Sequence, residues 1–126
     1  MFDQSQLTAC GFVLDENGYY TGTRTQFISF FGGFPKQICY KQNTQYTISF
    51  YNYNSSETNV SYIDFIYTDG TNDRCSFGGT TLTYYTSTSA ANKTIQYIRG
   101  SFGSGNTVTV YIKDIMLVEG TVAASY

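Results

Sequence analysis

A chain of 126 residues is long enough to bury a real core, and a second domain would leave both halves too small, so residues 1–126 are read as one domain. Charged residues make up only 13%, the formal net charge is −2, and the seven basic residues are scattered, which argues against nucleic acid as a partner because phosphate binding needs clustered lysine and arginine. No apolar run approaches the roughly 20 residues that a bilayer requires, so no membrane insertion is expected, and the opening MFDQSQLTAC lacks the basic leader and apolar run of a signal peptide.

Thirteen tyrosines, ten phenylalanines, twelve glycines and a single proline belong to sheets and turns rather than helices. Cys10 to Leu14 and the YYTGT run from Tyr19 predict two short strands around a tight turn, with Asn17-Gly18 supplying positive φ. Thr25 to Phe31 predicts a strand ending at Gly32-Gly33. Pro35 follows; it cannot donate to a ladder and marks an edge or a loop. After a polar turn at Lys41 to Thr44, Gln45 to Tyr53 alternates Tyr46, Ile48 and Phe50 against Thr47, Ser49 and Tyr51, as a half-buried strand does. Asn54 to Asn59 reads as a loop. Val60 to Tyr67 has its more apolar face at Ile63, Phe65 and Tyr67, leaving Tyr62, Asp64 and Ile66 on the other.

Asp69-Gly70 closes that strand, and Thr71 to Gly79 reads as irregular and polar. Thr80 to Thr86 and Thr94 to Arg99 predict two more strands, separated by a loop from Ser87 to Lys93. Ser101 to Asn106 is a further loop. The last strand, Val108 to Gly120, is the best patterned, and it is expected in the middle of its sheet. Val108, Val110 and Ile112 alternate with Thr109, Tyr111 and Lys113, and then Ile115 and Leu117 carry the apolar set on the other parity. One extra residue does this, which predicts a bulge at Lys113-Asp114. Strands recurring about every dozen residues, with no useful helical periodicity, predict an all-β fold: a two-sheet antiparallel β-sandwich of jelly-roll type.

Chemistry is constrained by what is missing. There is no histidine, hence no histidine general base or conventional triad. Cys10, Cys39 and Cys75 have wide, unrelated spacings that build neither a metal knuckle nor a redox CxxC, so they read as small buried hydrophobes, with a disulfide as the alternative. Asp64 with Asp69 or Asp73 is the local carboxylate cluster for glycoside hydrolysis, but acids of this spacing are usually caps and turns. The chain is therefore read as not an enzyme.

Three parts of the sequence resemble one family. Met1-Phe2-Asp3-Gln4-Ser5-Gln6 with Gly11-Phe12-Val13-Leu14 and Asn17-Gly18 resembles the opening of jelly-roll domains in bacteriophage tail and baseplate proteins. Asn43-Thr44-Gln45-Tyr46-Thr47-Ile48-Ser49 and Tyr67-Thr68-Asp69-Gly70-Thr71 resemble their middle turns. Ile115-Met116-Leu117-Val118-Glu119-Gly120 with Ala123, Ala124 and Tyr126 is similar to their closing strand and tail. That family is similar in fold to galactose-binding-like carbohydrate-binding modules.

The resemblance implies recognition of a host cell-wall or surface saccharide. The implied function is that of a non-enzymatic carbohydrate-binding module of a phage virion structural protein, acting during adsorption. Its place would be the tail or baseplate, exposed to the extracellular medium and touching other virion tail proteins. The alternative is a ligand-free structural, decoration or spacer domain. The resemblance also implies one structural calcium ion where the first and last strands meet, with Asp114 and Asp3 the acids best placed for it and loop carbonyls completing the six to eight oxygens that calcium takes. An equal alternative is that Asp114 satisfies local backbone donors.

Sugar binding needs an aromatic ring against the apolar face of a pyranose, flanked by planar hydrogen-bonding groups. Tyr62, Asp64, Tyr97 and Arg99 fit this, and so does the alternative of an Asp64–Arg99 cross-strand pair with tyrosines packed on the sheet. Tyr19 and Tyr20 are further candidates, as are Tyr51, Tyr53, Tyr84 and Tyr85, although most of the tyrosines must be core or sheet surface.

Overall fold

The computed structural model describes residues 12–22, 27–31, 40–56, 61–101 and 109–122, with the backbone alone for 27–31. Nine strands form among them: β1 (Val13–Leu14), β2 (Tyr20–Gly22), β3 (Phe27–Phe31), β4 (Tyr46–Asn54), β5 (Ser61–Tyr67), β6 (Asn72–Phe77), β7 (Thr83–Thr88), β8 (Ile95–Ser101) and β9 (Val110–Glu119). They make a five-stranded sheet in the order β1-β2-β9-β4-β7 and a four-stranded sheet in the order β3-β8-β5-β6. Every pairing is antiparallel. The all-β jelly-roll sandwich expected from the strand pattern is the fold, and β9 is the central strand of its sheet.

Alternation explains which side of β4, β5 and β9 is inside, and in β8 the register shift opposite Ile66 and Tyr67 brings Ile95 and Ile98, three residues apart, to the same side. Ile48 and Phe50 of β4, Val110 and Ile112 of β9, Ile63, Phe65 and Tyr67 of β5, and Ile95 and Ile98 of β8 meet between the sheets and are all but inaccessible. Each fully buried side chain of this size contributes about 1.5–3 kcal/mol. Phe12 is buried in the same core, and it explains Gly22: a Cβ there would stand 2.8 Å from the Phe12 ring.

The bulge is present, one step from where the sequence puts it. Tyr51 pairs with Lys113 and Ser49 with Met116, so Asp114 and Ile115 together oppose Phe50. Asp114 adopts φ +55°, the left-handed conformation that short polar side chains tolerate better than branched ones. The extra residue keeps one face consistent: Val110, Ile112 and Ile115 are buried and Leu117 packs against the core. Without it, Ile115 and Leu117 would face outward. Val108, Pro35, Cys10 and Cys39 lie outside the described residues.

Three expectations are corrected. Residues 72–77 are not irregular; they form β6, which pairs with β5 from Ser61–Phe77 to Ile66–Asn72. β6 is an edge strand whose side chains are largely exposed apart from Phe77, so it shows no apolar alternation. β7 is displaced toward the C-terminus, ending at Thr88 rather than Thr86, because its ladder with β4 continues to the Thr47–Thr88 pair. In the first turn only Gly18 takes positive φ, at +85°; Asn17 does not. Asp15 caps that turn, its Oδ1 accepting from the amides of Asn17 and Tyr19, each at 2.9 Å.

Candidate functional site

The four residues first singled out for sugar contact share the outer face of the four-stranded sheet. Asp64 lies opposite Arg99 on one side and Arg74 on the other, and Tyr97 lies opposite Ile66. Arg74 grips the carboxylate with two bonds, Nε to Oδ1 at 2.8 Å and Nη2 to Oδ2 at 3.0 Å, and Arg99 Nε adds a third to Oδ2 at 3.3 Å. The Asp64 side chain is 0% exposed beneath them. Arg74 in turn lies over the Tyr62 ring, its Cζ 3.6 Å from the centroid. The Asp64–Arg99 cross-strand pair is thus present, reinforced by Arg74, which the sequence reading left in an irregular segment.

The other acids of the local cluster have structural employment. Asp69 Oδ1 accepts from the Thr71 amide at 2.9 Å; the two bonds from Thr71, more than the nearby Lys93, hold its carboxyl below the usual range. Asp73 Oδ2 accepts from the Tyr67 hydroxyl at 2.6 Å. Asp114 stands at the β9 bulge, and Asp3 lies outside the described residues. Among the described residues, no three His, Cys, Asp or Glu side chains gather where they could hold a metal ion. Cys75 is a free thiol, half-buried, and burial raises its pKa.

The outer face of the five-stranded sheet is different. Here the register of three strands lines up tyrosines: Tyr53 of β4 opposes Tyr111 of β9, and Tyr51 of β4 opposes both Tyr84 of β7 and Lys113 of β9. Tyr53 and Tyr111 stack with centroids 4.3 Å apart and planes 8° from parallel. Tyr19, on the turn before β2, sets its ring edge-on to both, at 5.5 and 6.3 Å. Tyr51 and Tyr84 form a second pair at 4.8 Å, inclined by 45°. Two positions along a strand separate the pairs by about 7 Å. Between them lies the Lys113 ammonium, 4.6 Å from the Tyr19 centroid and 5.8 Å from that of Tyr51.

These side chains are half-buried, and Tyr84 is 44% exposed. Burial, then the neighbouring Tyr111, Tyr19 and Asp15, raise the Tyr53 pKa, so its hydroxyl stays a neutral donor and acceptor. The candidates thus divide by parity. Tyr19, Tyr51, Tyr53 and Tyr84 belong to this outer face, whereas Tyr20 packs against the core and Tyr85 stacks on Phe50 at 5.6 Å. Tyr111 and Lys113 were not named as contacts, although the alternation of the last strand already put both on its outward side.

The fold is a jelly-roll sandwich, similar to that of solved carbohydrate-binding modules, which superpose on most of the chain. One described as a family 16 carbohydrate-binding module matches with a TM-score of 0.56 at 15% identity, over 87% of this chain and 82% of that one. One described as a CBM4 module matches with a TM-score of 0.57 at 12% identity, over 83% and 86%. The enzymatically active domain of tailspike protein 4 of bacteriophage CBA120 contains a similar region, with a TM-score of 0.52 at 12% identity, over 85% of this chain and 16% of that one. No protein-family model and no curated protein sequence matches the chain.

Proposed function

We propose that this domain is a non-enzymatic saccharide-binding module, and that it holds its glycan on the tyrosine face of the five-stranded sheet. The observation that carries the reading is the cluster of Tyr19, Tyr53, Tyr111, Tyr51 and Tyr84 around Lys113. It combines apolar ring surface with phenolic hydroxyls, the two things a pyranose presents partners for. Two supports stand behind it: the fold is shared with carbohydrate-binding modules, and the carboxylates that would serve hydrolysis are committed to Arg74, Arg99, Thr71 and Tyr67.

The biological setting belongs to the same proposal. The terminal and central motifs resemble phage tail and baseplate domains, and a similar fold occurs within a phage tailspike. In this reading the domain sits on a virion tail or baseplate, beside other tail proteins and facing the medium, where it contacts host cell-surface saccharide during adsorption. Many weak copies on one particle would bind collectively far more tightly than one. A structural calcium at Asp114 and Asp3 is part of this reading.

The rival, a ligand-free decoration or spacer domain, is favoured by the extent to which the tyrosines already pack on one another. Calorimetric titration with fragments of host wall polysaccharide separates the two. Binding that falls at least about tenfold in Tyr53→Ala and Tyr111→Ala, but not in Tyr62→Ala, supports the module. Equal retention in all three variants, or no binding by the wild type, sinks it.

A further inference from the structure

Five lysines and arginines lie among the described residues with side chains described, and four of them face carboxylates: Lys41 with Glu119, Arg74 and Arg99 with Asp64, and Lys93 with Asp69. Lys113 does not. Among the described residues its ammonium is held by rings, Tyr19 and Tyr51, inside the tyrosine face. Of the two acids on the turn before β2, Asp15 is committed through Oδ1 to the amides of Asn17 and Tyr19, and among the described residues none of Asp15, Glu16 and Asp114 makes an ion pair with Lys113. Ring faces attract a cation but do not take up its N–H donors, which stay open to solvent or a ligand. A lysine half-buried among aromatic groups, in a protein whose net charge is −2, is a local positive centre.

We infer that the glycan taken by this face is anionic, with a carboxylate or phosphate group seated on Lys113 while neighbouring sugar rings lie against the tyrosines. The inference rests on the tyrosine face being the binding face. Partial exclusion of water strengthens the contact relative to a surface ion pair. The charged group thereby selects acidic over neutral polymers, which the rings alone cannot do.

The test measures affinity by calorimetry for matched saccharides: an oligogalacturonate and its carboxyl-reduced neutral counterpart, with poly(glycerol phosphate) as the phosphate arm. The wild type is expected to prefer an acidic member by about tenfold, equivalent to about 1.4 kcal/mol, and to lose that preference as salt rises from about 50 to about 500 mM because the Debye length shrinks. Whichever arm is preferred assigns carboxylate or phosphate. Lys113→Met keeps an unbranched stem on the rings but should bring acidic and neutral affinities together; Lys113→Arg should keep them apart. Neutral and acidic members bound alike, with Tyr53→Ala still abolishing both, would overturn the anionic assignment and leave the tyrosine face standing. Binding of neither class, or binding indifferent to Tyr53→Ala, would overturn both.

Discussion

Tyr67 carries two loads at once. Its ring is buried in the core, and its hydroxyl donates to Asp73 Oδ2 at 2.6 Å while accepting from the Ala90 amide at 2.9 Å. Burial, followed by the bond to Asp73, pushes its pKa up to about 12. An unfolded tyrosine titrates near 10. Because the folded value is the higher one, the contribution is fully present below pH about 10 and is lost as pH rises toward about 12. Denaturant midpoints should therefore fall across that window. Tyr67→Phe should fall less steeply there and lie about 1–2 kcal/mol lower at neutral pH, since the Ala90 amide and Asp73 lose their partner; parallel curves for the two proteins would contradict this. A polar pair on β4 is a different case. Asn52 Nδ2 donates to the Tyr111 carbonyl at 3.0 Å and to Asn54 Oδ1 at 3.3 Å, but Asn52 Oδ1 and Asn54 Nδ2 are buried without partners among the described residues, a local cost of about 1–3 kcal/mol for each orphaned group.

At the scale of elements, the strands that alternate were legible and the ones that do not were not. β4, β5 and β9 each turn their apolar side chains to one buried face, and period-2 patterning in the sequence is the direct record of that arrangement. The phase slip at Lys113-Asp114 was equally readable, because a bulge is the device that restores a face after an extra residue. β6 escaped because an edge strand buries almost nothing: its pairing is made by backbone bonds, and its one conspicuous side chain, Arg74, reaches across to Asp64. The bulge also yields a test of what Asp114 is for. If it serves the backbone, Asp114→Gly should melt at or above the wild-type temperature and Asp114→Val about 1–2 kcal/mol less stably, since a β-branched residue resists φ +55°. If it serves a calcium ion, chelator should lower the wild-type melting temperature and both variants should lose that response.

For the whole molecule, the two outer faces of the sandwich divide the polar chemistry between them. One spends its charges internally, with Asp64 sealed under Arg74 and Arg99. The other assembles tyrosines around Lys113, which has no carboxylate partner among the described residues. The sequence places tyrosines at loops and strand ends, and so named Tyr19, Tyr51, Tyr53 and Tyr84 together with Tyr20 and Tyr85, which turn to the core. It could not show that Tyr53 meets Tyr111, or that Lys113 meets Tyr51, because register between β4 and β9, more than 50 residues apart in the chain, is settled by the whole ladder and not by either segment. The most direct measurement is an amide NMR titration of the wild-type domain with acidic wall-polysaccharide fragments. The predicted result is a contiguous set of shifts at Tyr19, Tyr51, Tyr53, Tyr111 and Lys113, with Tyr62 and Tyr97 undisturbed; shifts concentrated on Tyr62, Asp64 and Tyr97, or none on either face, would contradict it.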